Sequence, residues 1–121
     1  MSYDQQNIFA RILRKEIPCK SVFENDYVLA FHDIFPKAPT HILVIPKGAY
    51  IDIADFGANA TDAEITGFWR VVSAIAAEHN LTQNGFRTIA NTGTHGGQEV
   101  PHFHVHLVGG AALGPMLSSK E

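Results

Sequence analysis

Only one of the 121 residues is a cysteine, Cys19. A disulfide within the chain is therefore impossible, and so is a four-cysteine zinc site. Charge is also sparse: Asp, Glu, Lys and Arg make up 17% of the residues, the net charge is −3, and no basic run is longer than Arg14-Lys15. A protein that grips a nucleic-acid backbone usually carries a basic stripe, and this chain has none; a single nucleotide as ligand is still allowed. No apolar run approaches the roughly 20 residues of a membrane span. Residues 1–7 lack the apolar region of a secretory signal. The expectation is a soluble cytoplasmic protein that binds neither nucleic acid nor membrane. Apolar residues, at 45%, suffice for one core, so a single domain over 1–121 is expected.

Hydrophobic periodicity and turn residues outline the elements. Asn7 is placed to cap a short helix from 8 to about 15, with Ile8, Phe9, Ile12 and Leu13 on one face. Strands are predicted over 21–24, 27–31 and 40–45. They are separated by the Asn25-Asp26 turn and by a proline loop, Phe35-Pro36-Lys37-Ala38-Pro39. Residues 47–60 read as irregular, with one short turn near Ile53. Thr61-Asp62-Ala63-Glu64 is a capping box that opens the longest helix, ending near His79 and Asn80. Its predicted buried stripe is Ile65, Phe68, Trp69, Val72, Ile75 and Ala76. A fourth strand covers 85–91, a glycine-containing loop 92–97, and a fifth strand starts at Pro101 or His102. The fold class is α+β: one antiparallel five-stranded sheet with the long helix on one face and a short N-terminal helix.

The fifth strand carries the most chemistry. Residues 102–106 read His-Phe-His-Val-His. Strand side chains alternate faces, so His102, His104 and His106 share one face, roughly 6.5–7 Å apart, backed by Phe103, Val105 and Leu107. Imidazoles near neutral pH serve as nucleophiles, proton carriers or metal ligands. His41, on the third predicted strand, is a candidate fourth member. On ligand chemistry alone zinc remains open, with His41, Asp33 or Glu99 completing a His-x-His pair. The preceding loop, from Asn91 through Gly97 and Gln98 to Val100, has glycines that let amides approach an anion. Asp33, at the end of the second strand, has two readings: a turn-stabilising carboxylate before the proline loop, which the residues alone favour, or a holder of two ribose hydroxyls.

These residues resemble the signature of the histidine-triad (HIT) superfamily. Beyond 102–108, four further segments resemble its branch that hydrolyses purine nucleoside phosphoramidates. They are Ile8-Phe-Ala-Arg-Ile-Leu-Arg-Lys-Glu-Ile-Pro18, Ala30-Phe-His-Asp-Ile34, Ala38-Pro-Thr-His-Ile-Leu-Val-Ile-Pro-Lys47 and Gly96-Gly-Gln-Glu-Val100. The resemblance runs from about residue 4 to 110, with 111–121 as a tail. It implies a homodimer with sheets joined across the interface, a purine nucleotide substrate (an AMP or GMP conjugate) and AMP release through a covalent nucleotidyl-histidine. It implies no cofactor and no catalytic metal.

By position, the resemblance makes His104 the nucleophile, supported by His41 and His102. It assigns Ile8, Phe9, Ile12, Ile17, Phe31 and Ile34 to the base and Asp33 to the ribose. Asn91, Gly97, Gln98, Glu99, Val100 and His106 would surround the phosphate and leaving group. The chain departs from its relatives at Glu99, where some carry Ser, at Pro101 and at Ala111-Ala112. Alternatives are a nucleotide-binding regulatory module with slow chemistry, a dinucleoside polyphosphate hydrolase and a metalloprotein. His32, His79 and His95 are expected to be surface or loop residues.

Overall fold

The computed structural model describes residues 2–118. Helix α1 is Ile8–Leu13, and the Asn7 side chain accepts from the Ala10 amide at 2.9 Å. It ends two residues before the expected point because Lys15 turns to φ 67°, a left-handed conformation that stops a helix. Strands β1 (Ser21–Glu24), β2 (Val28–His32) and β3 (Thr40–Pro46) follow. Helix α3 is Asp62–Glu78, opened by the capping box: the Thr61 hydroxyl accepts from Glu64 N–H, and the Glu64 carboxylate accepts from Thr61 N–H. Strands β4 (Phe86–Ile89) and β5 (Val105–Gly109) complete one antiparallel sheet of order β1-β2-β3-β5-β4.

The sheet separates two apolar layers, as strand alternation requires. On one face Val28, Ala30, Ile42, Val44, Val105 and Leu107 meet Phe56 and the α3 residues Phe68, Val72 and Ile75. On the other, Leu29, Phe31, Leu43 and Ile45 meet Phe9 and Ile12 of α1. Phe103 joins the first layer, stacked on Phe56 with ring centroids 4.9 Å apart.

Four expectations are corrected. Residues 47–60 are not simply irregular: Ile53–Asn59 forms helix α2, with the Asp52 carboxylate capping Asp55 N–H at 2.8 Å. The loop at 92–97 contains a single helical turn, α4 (Gly93–Gly96), closed by Gly97 at φ 74°. Trp69 leaves the buried stripe and stays 39% exposed, since the α3 face toward the sheet is filled by Phe68, Val71, Val72, Ile75 and Ala76. The histidine strand begins at Val105, not at 101 or 102. Pro101 has no amide to give a ladder, and the Phe103 amide donates to the Tyr50 carbonyl at 2.7 Å instead of to a neighbouring strand.

The segment at 48–51 is therefore a brace for the histidine stretch. Tyr50 reaches α3 through its hydroxyl, which donates to Glu64 at 2.8 Å. Burial and that carboxylate push the Tyr50 phenol up to about 12, so it stays a donor. Gly48 makes room for the ring: a Cβ there would lie 2.5 Å from Tyr50 Cε2 and 2.9 Å from Glu64 Oε2.

Candidate active site

Although only His106 lies within β5, the alternation of faces survives through the preceding residues. Phe103 and Val105 are in the core beneath α3, while His104 and His106 turn to the α1 side with ring centroids 5.0 Å apart. His102 is fully buried, and His41 and His104 are nearly so. Phe9 of α1 stands edge-on to both His102 and His104.

Hydrogen-bond partners fix the tautomers. His104 Nδ1 faces its own chain's His102 carbonyl at 2.7 Å, so Nδ1 carries the proton and Nε2 keeps a free lone pair. His102 Nε2 donates to the Pro46 carbonyl at 2.8 Å, which leaves its Nδ1 as an acceptor. His41 Nδ1 accepts from the Lys37 amide at 3.0 Å, so its proton sits on Nε2. That nitrogen lies 3.0 Å from His106 Nδ1 and donates to it, leaving the His106 proton on Nε2. Asp33 Oδ2 stands 3.3 Å from the same His41 nitrogen, and Asp33 Oδ1 accepts from Phe35 N–H at 2.8 Å.

Burial disfavours the charged imidazolium and lowers all four pKa values. His102 falls to about 4, the Pro46 carbonyl opposing the shift and His104 adding to it. His106 also falls to about 4, helped by its histidine neighbours and opposed by Asp33. His104 is lowered by burial against the pull of the His102 carbonyl, Asp33 and Glu99. His41 is lowered by burial, with Asp33 opposing. At neutral pH the contact between Asp33 and His41 is thus between a carboxylate and a neutral ring.

Asp33, His41 and His106 place three possible ligand atoms within 4.8 Å of one another. The donor set nevertheless suits a proton better than a metal ion. A metal-bound His41 Nε2 would force its proton onto Nδ1, against the Lys37 N–H that already points there. A ligating histidine needs an acceptor at its second nitrogen, and this one meets a donor.

A cavity of about 530 Å³ opens beside this cluster, lined by Asp33, Lys37, His41, Asn91, Glu99 and His106, and further along by Arg87 and Leu113. Of the residues expected around the phosphate, Asn91, Glu99 and His106 are on that lining. Gly97, Gln98, Val100 and His104 are not on that lining. Gln98 serves the loop: its amide donates to the Ile51 and Val100 carbonyls at 2.7 and 3.0 Å, and its oxygen accepts from Gly93 N–H. Val100 packs on the α1 layer.

The six apolar residues assigned to the base are dispersed. Phe9, Ile12 and Phe31 are core residues, and Ile17 packs against them. Ile12 and Ile17 border a separate 250 Å³ cavity. Ile8 and Ile34 are exposed, and Ile34 lines a 560 Å³ cavity that shares Asp33 and His41 with the first. His32 and His95 are exposed and His79 is half-buried at the end of α3. Sequence reasoning passed over Tyr3, whose hydroxyl meets His102, and the Lys37 amide. Tyr3 has no local signal because it meets its ring across 99 positions; the Lys37 amide is a backbone group four residues from its ring, and no side-chain pattern marks it.

The HIT domain family matches residues 14–113. The chain belongs to the HIT domain family. An uncharacterised 13.2 kDa HIT-like protein of Azospirillum brasilense is 56% identical over 117 residues, covering 97% of this chain and 96% of that protein. The purine nucleoside phosphoramidase of Escherichia coli is 45% identical over 116 residues, covering 96% and 97%. A solved histidine triad protein from Clostridium difficile superposes with a TM-score of 0.83 at 40% identity, over 96% of this chain and all of that one. The clustered imidazoles of this chain stand on β3, β5 and the stretch before β5. No helix among the described residues is long and apolar enough to cross a membrane.

Proposed function

We propose that this HIT protein hydrolyses purine nucleoside phosphoramidates or related AMP conjugates and releases the nucleoside monophosphate. The observation that carries the reading is the state of His104: neutral, with Nδ1–H donated to the His102 carbonyl and the Nε2 lone pair free. The similarity to a purine nucleoside phosphoramidase supports the same substrate class. Working as a homodimer in the cytoplasm is part of the proposal; β4 is an edge strand of the sheet among the described residues, as β1 is at the other side.

In the first step His104 Nε2 forms a bond to the α-phosphorus and the substrate P–N bond breaks. The departing amine takes up one proton. Its source is the His41–His106 pair in singly protonated form, a state favoured once the nucleotide's negative charge arrives beside it. In the second step water attacks phosphorus, the bond to His104 breaks, and the proton from water returns to the pair. One hard displacement becomes two easier ones. Asp33 reads the ribose hydroxyls, and Ile34, on the cavity that shares Asp33 and His41, meets the base.

Rapid acid-free quenching of wild-type protein with adenosine 5′-phosphoramidate, followed by mass spectrometry, tests this. The expected product is an AMP adduct on the peptide holding His104. His104→Ala should lose the adduct and turnover yet bind AMP with near wild-type affinity. Turnover by His104→Ala, or an adduct on another residue, would falsify the assignment.

A further inference from the structure

The His102 ring is fully buried, and its two nitrogens are held by two residues distant in the chain, Tyr3 and Pro46. The Pro46 carbonyl accepts from Nε2–H. At the other nitrogen the Tyr3 hydroxyl lies 2.5 Å from Nδ1 and, because Nδ1 carries no proton, donates to it. The two rings also meet edge to face, with centroids 5.6 Å apart. The Tyr3 phenol is pushed up by burial, so it stays protonated and remains a donor.

The segment carrying Tyr3 is itself anchored. The Asn7 amide nitrogens, backbone and side chain, both donate to the Asp4 carbonyl. Arg14 donates to the Gln5 carbonyl at 2.7 Å, tying residues 4–7 to α1. Helix α1 in turn rests Phe9 against His102 and His104.

We propose that Tyr3 is a positioning residue: its hydroxyl holds His102 in the Nε2–H tautomer and so fixes the His102 carbonyl that orients His104. The inference rests on His104 being the nucleophile. Without the phenol oxygen, a buried lone pair on His102 has no donor. The ring then has reason to rotate or to admit water. Either change moves the neighbouring carbonyl, and a small misplacement of a nucleophile lowers rate more than binding.

The test is Tyr3→Phe in the full chain, with Tyr27→Phe as a control that removes a half-exposed phenol elsewhere. Two readouts are needed. Nitrogen-15 correlation spectra of the imidazoles should show single tautomers for His102 and His104 in wild type and in Tyr27→Phe, and mixed tautomers for both in Tyr3→Phe. With adenosine 5′-phosphoramidate, kcat should fall roughly three- to thirtyfold in Tyr3→Phe while KM stays within about twofold. A merely structural role would lower thermal stability without splitting kcat from KM. Unchanged tautomers, or unchanged kcat with scrambled tautomers, would overturn the proposal. The spectra need no substrate. If wild type hydrolyses no phosphoramidate the proposed function fails, and the His104 tautomer in Tyr3→Phe still decides whether Tyr3 positions it.

Discussion

His41 and His106, on neighbouring strands β3 and β5, share one hydrogen bond of 3.0 Å whose direction is set from outside the pair. The Lys37 amide occupies His41 Nδ1, so the proton must lie between the two rings and the outer His106 nitrogen must carry the other. A backbone amide in a proline loop thus determines which face of His106 offers a proton to the cavity.

His41→Asn tests that arrangement. It removes the ring that orients His106 and shares its proton. Turnover of a phosphoramidate should fall roughly 100- to 10,000-fold, with AMP affinity changed little, because proton transfer contributes on that scale. The loss should shrink for a conjugate whose leaving group needs no proton. An equal loss for both conjugates would show that His41 acts only as packing.

Asp33 has two neighbours with different demands, the cavity and His41. Asp33→Ala should raise KM for a ribonucleotide conjugate several-fold more than for its 2′-deoxy counterpart, since only the former presents the paired hydroxyls. A matched fall in kcat for both sugars, with KM unchanged, would assign Asp33 to the histidine pair instead of the ribose.

Acidification should weaken the fold before any carboxylate titrates. His41, His102, His104 and His106 have folded pKa values below their unfolded ones. As pH falls below about 6.5, the unfolded chain binds protons that the folded one refuses, so stability is full above that pH and is lost toward the folded values. His102 alone, at about 4 when folded, should cost about 2 kcal/mol between pH 7.5 and 5. Urea midpoints measured across that range check the sign. A flat profile would mean these rings are charged or solvated in the native state.

Gln98→Leu keeps the side chain's bulk and deletes bonds to Ile51, Val100 and Gly93. The expected loss is on the order of 1–3 kcal/mol. Protease cleavage within 92–99 should accelerate, because that side chain ties the loop to the segment before α2. An unchanged cleavage rate would show that the loop holds itself.

The fold was largely legible because its signals are local. The Asn7 cap, the Thr61–Glu64 box and the strand runs at 21–24 and 40–46 each state their element within a few residues. Helix α2 is not legible in the sequence because its Asp52 cap is followed by a mixed sequence with one buried residue, Phe56, and little periodic pattern. Trp69 lies on the helical stripe yet stays exposed, because the stripe is wider than the strip of sheet available to cover it.

The row His102, His104 and His106 needed only the two-residue period of an extended chain, so the sequence alone determined that three imidazoles would alternate with apolar residues. Which nitrogen of each ring carries a proton was decided by tertiary structure alone. Those protons answer to Tyr3, Lys37 and Pro46, residues 99, 4 and 56 positions from the rings they touch. A tautomer is set by whichever donor or acceptor folding brings within about 3 Å, and no local pattern encodes that meeting.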